Sequence, residues 1–186
     1  MIVNPPNGFW TEYDLEPDMM IYLWSMIELA QKDKRDTLIG HITSSLELPD
    51  TEGRLLSYLS EKSKDLSFLD RTDIKAESFW VNFQKKNEFN PFHIHSGVMS
   101  FAIWMKIPYE YENEKQLFIK NTKDECRSGC FEFIYSDIFG RIVNYLYPLS
   151  SKSEGKIIMF PAMLSHQVYP FYTSDQTRIS ISGNLI

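Results

Sequence analysis

Two different hydrophobic periods divide the chain. In the first third, apolar residues recur at steps of three and four. After Pro17, the positions Met20, Leu23, Trp24 and Ile27 fall on one face of a helix expected to run to about Lys32. Asp36 is placed to cap a second short helix carrying Leu38, Ile39, Ile42 and Leu46. Asp50 is placed to cap a third, with Leu55, Leu56 and Leu59 turned inward.

From about residue 75 the period falls to two and the composition turns β-rich. Phe79, Val81 and Phe83 alternate with Trp80, Asn82 and Gln84, as in a half-buried strand. A polar turn then leads into Asn90-Pro91-Phe92-His93-Ile94-His95-Ser96-Gly97. Further strands are expected over residues 100–107, 130–135, 141–147, 156–160 and 177–185, and the charged stretch 110–123 reads as hairpin edges or a mobile loop. Helices followed by many short antiparallel strands predict a mostly β protein, with an α-helical N-terminal layer over residues 1–70 packed on a sandwich or barrel over 75–186. No linker or low-complexity tract interrupts the 186 residues, so a single domain is expected.

Composition narrows the function classes. The net charge of −6, with no basic run, argues against a general nucleic-acid or anionic-membrane binder. The first residues lack a secretory pattern and no apolar stretch approaches about 20 residues, so a soluble, cytoplasmic protein is expected. Two cysteines, Cys126 and Cys130, are too few for a disulfide scaffold; free thiols are expected, with Cys130 serving in packing.

The candidate chemistry rests on few residues. Only four histidines occur, and His93 and His95 stand at the spacing that puts alternate side chains of a strand on one face. His166 follows the apolar run that ends at Pro161, as if delivered by another strand. A short-spaced pair plus one distant ligand suits a mononuclear iron site with positions left open for substrate and oxygen. His41 has no second donor at helical spacing and reads as an ordinary surface histidine. Downstream, Arg178, Ser180, Ser182 and Asn184 share one face of the last strand, and a guanidinium with a neighbouring hydroxyl suits a carboxylate. Asn82 and Asn184 read as structural or as orienting groups. Phe101, Ile103 and Met105 share the histidines' parity if no bulge intervenes and are expected to fill the barrel, with Trp104 facing the other way.

In order and spacing these segments resemble the 2-oxoglutarate and Fe(II)-dependent oxygenase superfamily, and more narrowly the 2OG-Fe(II) oxygenases of bacteria and phages. The residues that carry the resemblance are Trp80-Val81-Asn82, Asn90 to Ser96, the strand ending at Pro108, Gly155 to Pro161, His166, and Arg178 to Asn184. The resemblance implies a double-stranded β-helix, that is, a jelly-roll, cupin-like barrel. It implies iron held by His93, His95 and His166, and the distal carboxylate of 2-oxoglutarate bound by Arg178 and Ser180. It also implies a dioxygenase that uses Fe(II), 2-oxoglutarate and O2 and hydroxylates its substrate with release of succinate and CO2. His95 stands where most of the superfamily has Asp or Glu. Three neutral imidazoles leave the full double charge of Fe(II) to be neutralised by the dianionic cosubstrate.

Two other readings compete. A cupin-type three-histidine iron dioxygenase would need no 2-oxoglutarate and would give Arg178 no role. A non-catalytic β-sandwich would use the histidines as structure. The substrate class stays open between a protein side chain, peptidyl or prolyl residues by analogy, a nucleobase and a small metabolite. The chain is compatible with a monomer or a homodimer.

Overall fold

The structure is a computed structural model and describes residues 9–64, 74–118 and 126–186. The first third contains β1 (Thr11–Asp14), α1 (Pro17–Leu29), β2 (Ser45–Glu47) and α2 (Arg54–Ser63). Then come β3 (Ala76–Gln84), β4 (Asn90–His93), β5 (Met99–Lys106) and α3 (Tyr111–Phe118). The remainder is β6 (Cys130–Ser136), β7 (Ile142–Pro148), β8 (Lys156–Pro161), β9 (Ser165–Val168) and β10 (Arg178–Leu185).

The strands form a six-stranded sheet in the order β1-β8-β5-β10-β3-β2 and a four-stranded sheet in the order β4-β9-β6-β7. Every pairing is antiparallel. The sheets face each other as a jelly roll, but they do not close into the expected barrel. The large sheet ends at β1 and β2 and the small one at β4 and β7, and among the described residues no strand joins these edges.

The large sheet has two apolar faces. On one, Phe79, Val81, Phe101, Ile103, Met105 and Ile181 pack with Leu23 and Ile27 of α1 and Leu55 and Leu59 of α2. On the other, Ala102, Trp104, Ile158 and Phe160 meet Phe131 and Phe133 of the small sheet. Gly183 lies under the first of these layers, where a Cβ would stand 2.5 Å from Phe79 and 2.7 Å from Phe101.

This arrangement corrects the parity expected for β5. Phe101, Ile103 and Met105 face the helices, and Trp104 faces the space between the sheets. The slip occurs at Ser96 to Val98, where the chain passes from the small sheet to the large one. Gly97 takes φ +89° there, and a Cβ on it would meet the Leu185 carbonyl oxygen at 2.5 Å.

The first third is not purely helical, since it also supplies both edge strands of the large sheet. Asp50 does cap α2, accepting from the N–H groups of Leu55 (3.1 Å) and Leu56 (2.9 Å), and the Tyr22 hydroxyl of α1 donates to it at 2.5 Å. The expected second helix is absent. In its place stand a single 3₁₀ turn, Arg35–Thr37, and β2, whose Leu46 pairs with Val81. Its supposed apolar face is split: Leu46 packs against the core from β2, Leu38 and Ile42 line the cavity, and Ile39 is 58% exposed. The backbone instead closes a wide hairpin through Lys34 N–H to Ser45 O and Glu47 N–H to Lys32 O.

The charged stretch 110–123, expected as a loop, contains α3; residues 119–125 lie outside those described. Glu114 anchors that helix, its buried carboxylate accepting from the N–H groups of Tyr172 (3.0 Å) and Thr173 (2.7 Å). Neither Cys126 nor Cys130 is in a disulfide, and both are buried. Among the described residues no helix is long and apolar enough to cross a membrane.

Candidate metal centre and its cavity

β4 and β9 pair so that His93 lies directly opposite His166. His95 joins them from the connection that follows β4. Its N–H donates to Ala162 O at 2.8 Å, and the Ala162 N–H donates to Val98 O at 3.1 Å. The two crossings between the sheets are thereby bonded to each other, and this brings the third imidazole to the pair. The ring centroids are 4.2 Å apart for His93 and His166 and 4.9 Å for each of the other two pairs. One nitrogen from each ring lies within 4.8 Å of the others.

Two of the rings have their orientation fixed from behind. Nδ1 of His93 is 2.7 Å from Pro91 O, and Nδ1 of His166 is 2.9 Å from Leu164 O. A carbonyl only accepts, so each Nδ1 carries the proton and each Nε2 presents its lone pair. His95 lies against Trp80, with centroids 5.8 Å apart. Behind His166 the rings of Phe131, Phe133 and Phe160 form an aromatic wall at 5.5, 6.3 and 4.8 Å.

Burial holds all three imidazoles neutral. His166 lies well below its ordinary value because of desolvation, with His93 and His95 adding repulsion. Desolvation also lowers His93, and it pushes His95 down to about 4 with a further contribution from His93.

This donor set fits a divalent transition metal. Two imidazole nitrogens about 2.1 Å from one ion and at right angles stand about 3.0 Å apart. Nε2 of His95 and Nε2 of His166 are 3.1 Å apart, a separation that a shared cation accommodates and that a hydrogen bond also gives when His95 carries its proton on Nε2.

The histidines open on a cavity of about 450 Å³ between the sheets. Arg178, Ser180, Ser182 and Asn184 of β10 line it on alternate positions, as do Trp80, Asn82 and Gln84 of β3. Asn82 and Asn184 are tied into the framework, since Ser45 Oγ donates to Asn82 Oδ1 at 2.7 Å and Ser100 Oγ to Asn184 Oδ1 at 2.9 Å. The mouth carries Lys34, Arg35 and Leu38 to Gly40, the last three from the stretch expected as a helix after Asp36. His41 is exposed, stacked on Phe89 and apart from the cluster.

Arg178 is 3% exposed, and among the described residues no carboxylate lies within ion-pair distance of it. Its guanidinium donates to the Tyr109 hydroxyl at 2.8 Å and to Gln84 Oε1, while its Nε has no hydrogen-bond partner among the described residues. A buried cation served only by neutral acceptors is costly unless an anion completes it. The orphaned donor and the uncancelled charge therefore fit a carboxylate ligand. Tyr109 carries no signal of this role in the sequence. Gln84 carries one, because it shares the parity of Trp80 and Asn82.

A jelly roll enclosing three neutral imidazoles and an unpaired guanidinium belongs to the class of non-haem metal enzymes. The family model described as "Putative 2OG-Fe(II) oxygenase" matches residues 78–184, more than half of the chain, and the protein belongs to that family of oxygenases, which use Fe(II) and 2-oxoglutarate. Solved structures share the fold at low identity. A Pseudomonas putida prolyl-4-hydroxylase is 12% identical, with TM-score 0.59 over 96% of this chain and 92% of that one. An oxidoreductase of the 2OG-Fe(II) oxygenase family from Burkholderia pseudomallei is 11% identical, with TM-score 0.61 over 95% and 83%. A viral collagen prolyl hydroxylase from Paramecium Bursaria Chlorella virus-1, solved with 2-oxoglutarate, is 12% identical, with TM-score 0.54 over 95% and 94%. No curated protein matches the sequence.

Proposed function

We propose that the protein hydroxylates its substrate in a reaction that consumes 2-oxoglutarate and O2 and releases succinate and CO2. In this reading His93, His95 and His166 hold Fe(II), and Arg178 with Ser180 binds the distal carboxylate of 2-oxoglutarate. The observation that carries it is the state of Arg178: a buried cation with neutral partners and an orphaned Nε, lining the same cavity as the imidazole cluster.

Bound Fe(II) supplies the oxygen chemistry, which no side chain of the chain can perform. The protein's own contribution is to bind, orient and exclude water. Pro91 O and Leu164 O fix two imidazole tautomers, and the aromatic wall keeps the third side of His166 dry. Three neutral ligands add no negative charge, so the dianionic cosubstrate strengthens the hold on the metal.

A protein side chain, prolyl or otherwise peptidyl, is the substrate class proposed. Support comes from two structural neighbours that are prolyl hydroxylases and from a cavity wide enough for a cosubstrate and one inserted side chain. A cytoplasmic setting accords with two cysteines that form no disulfide.

The test is an anaerobic titration of metal-free protein with Fe(II) and then 2-oxoglutarate, following the visible charge-transfer absorption of a chelated keto acid. The band is expected in the wild type, absent in His166→Ala, and shifted to higher 2-oxoglutarate concentration in Arg178→Ala with Fe(II) affinity nearly unchanged. Iron binding without the band rejects 2-oxoglutarate as the cosubstrate. No iron binding rejects the ligand assignment.

A further inference from the structure

Arg178 sits directly across the β10–β3 ladder from Gln84, and both are almost fully buried. Gln84 Oε1 accepts from the guanidinium, and the amide cannot turn round to do otherwise. Its Nε2 is occupied by Glu88 O at 2.5 Å and Tyr169 O at 3.4 Å. The second partner is constrained in the same way. Tyr109 donates its hydroxyl proton to Gly129 O at 2.8 Å, which leaves a lone pair for Arg178. Its ring is stacked on Phe171, with centroids 4.7 Å apart. Each partner spends its donor on a backbone carbonyl and is compelled to accept from the guanidinium. Glu114, the buried carboxylate in the same neighbourhood, is taken up by Ser128, Tyr172 and Thr173.

We propose that Gln84 and Tyr109 form a neutral clamp, two positioning residues that fix the guanidinium of Arg178 without cancelling its charge, so that the enzyme selects keto acids bearing a second carboxylate. This rests on the reading of Arg178 as the anchor for 2-oxoglutarate. An aspartate or glutamate in either place would hold the arginine as firmly and more cheaply, and would satisfy the charge that the ligand is meant to meet. The clamp instead leaves Nε unpartnered and the full charge available. It thereby converts binding strength into discrimination, because a monocarboxylate leaves that charge buried and unpaired.

The experiment compares two probes by calorimetry on Mn(II)-loaded protein. One is 2-oxoglutarate, and the other is pyruvate, a keto acid without the distal carboxylate. Wild type is expected to prefer 2-oxoglutarate by about 100-fold or more, the range of a paired, charge-assisted contact. Gln84→Glu supplies an internal carboxylate, so the preference is expected to fall by roughly 10- to 100-fold while Mn(II) and pyruvate affinities hold. Tyr109→Phe frees one corner of the guanidinium and is expected to lower the preference by about 3- to 10-fold.

A purely structural role would weaken both keto acids together and leave their ratio unchanged. An unchanged ratio in folded Gln84→Glu overturns the clamp and leaves the Arg178 assignment standing. If that variant fails to fold, an unchanged ratio in Tyr109→Phe overturns it. A wild type without preference removes the Arg178 assignment and the clamp with it.

Discussion

The three imidazoles illustrate how burial sets chemistry at the level of single residues. Water would protonate a histidine near pH 6.5, but here desolvation keeps all three neutral and ready to donate lone pairs. The same burial has a cost in the metal-free protein. As the pH falls from 6.5 towards the value of about 4 reached by His95, the unfolded chain takes up protons that the folded chain refuses. Protons bound preferentially by the unfolded state lower stability, so stability should decline as the pH falls through that window and be untouched by these groups above it. Urea denaturation midpoints of metal-free protein between pH 7.5 and 5 check this. A flat profile would refute the neutral, buried state.

Among the elements, the decisive features are the ones that join layers. Asp50 accepts from two α2 amides and from Tyr22 of α1, so Asp50→Ala should cost about 1–2 kcal/mol, measured as a lowered denaturation midpoint with an unchanged slope. Gly97 has a more local task. Its positive φ and the Leu185 carbonyl beside it leave no room for a Cβ. Gly97→Ala should therefore cost about 1–3 kcal/mol and displace the segment that carries His95. Fe(II) affinity in this variant should drop although no proposed ligand has been changed. Full affinity in a destabilised Gly97→Ala protein would mean that the segment does not position His95.

These joints mark the boundary of what the sequence makes legible. Period-two alternation placed Arg178, Ser180, Ser182 and Asn184 together, because a regular strand has no other way to arrange them. The separate strand for His166 was readable on similar grounds, whereas His95 reaches the cluster from the connection after β4 and not by strand alternation. Parity across Gly97 was not readable, since one residue of slip reverses every side chain that follows. The helix expected after Asp36 failed because the backbone there closes a hairpin and pairs with β3, so that Leu46 reaches the core from a strand. Of the partners of Arg178, Gln84 was legible only through its parity with Trp80 and Asn82, and Tyr109, 69 positions away along the chain, was not legible at all.

At the scale of the molecule, the candidate site belongs to neither sheet alone. His93 and His166 come from the small sheet and Arg178 from the large one, so a metal and cosubstrate bound together would hold the sheets against each other. A ligand at 100 times its dissociation constant adds about 2.7 kcal/mol, which in a chain of this size raises Tm by roughly 5–10 °C. Mn(II) with 2-oxoglutarate should produce such a rise under calorimetry, and a chelator should reverse it. Equal Tm values with and without them would reject a ligand that bridges the sheets.

The place of β10 in the large sheet has a consequence for how the protein is made. It lies between β3 and β5 but follows both in the chain, and Arg178 is its first residue. A ribosome adding about 5–20 residues per second reaches it roughly 4–14 s after finishing β5. For that interval the nascent chain exposes two facing strand edges with no strand to fill the gap. A product terminated just before β10 would carry the three clustered histidines and an unfinished sheet, with the gap between β3 and β5 open to pairing with another chain.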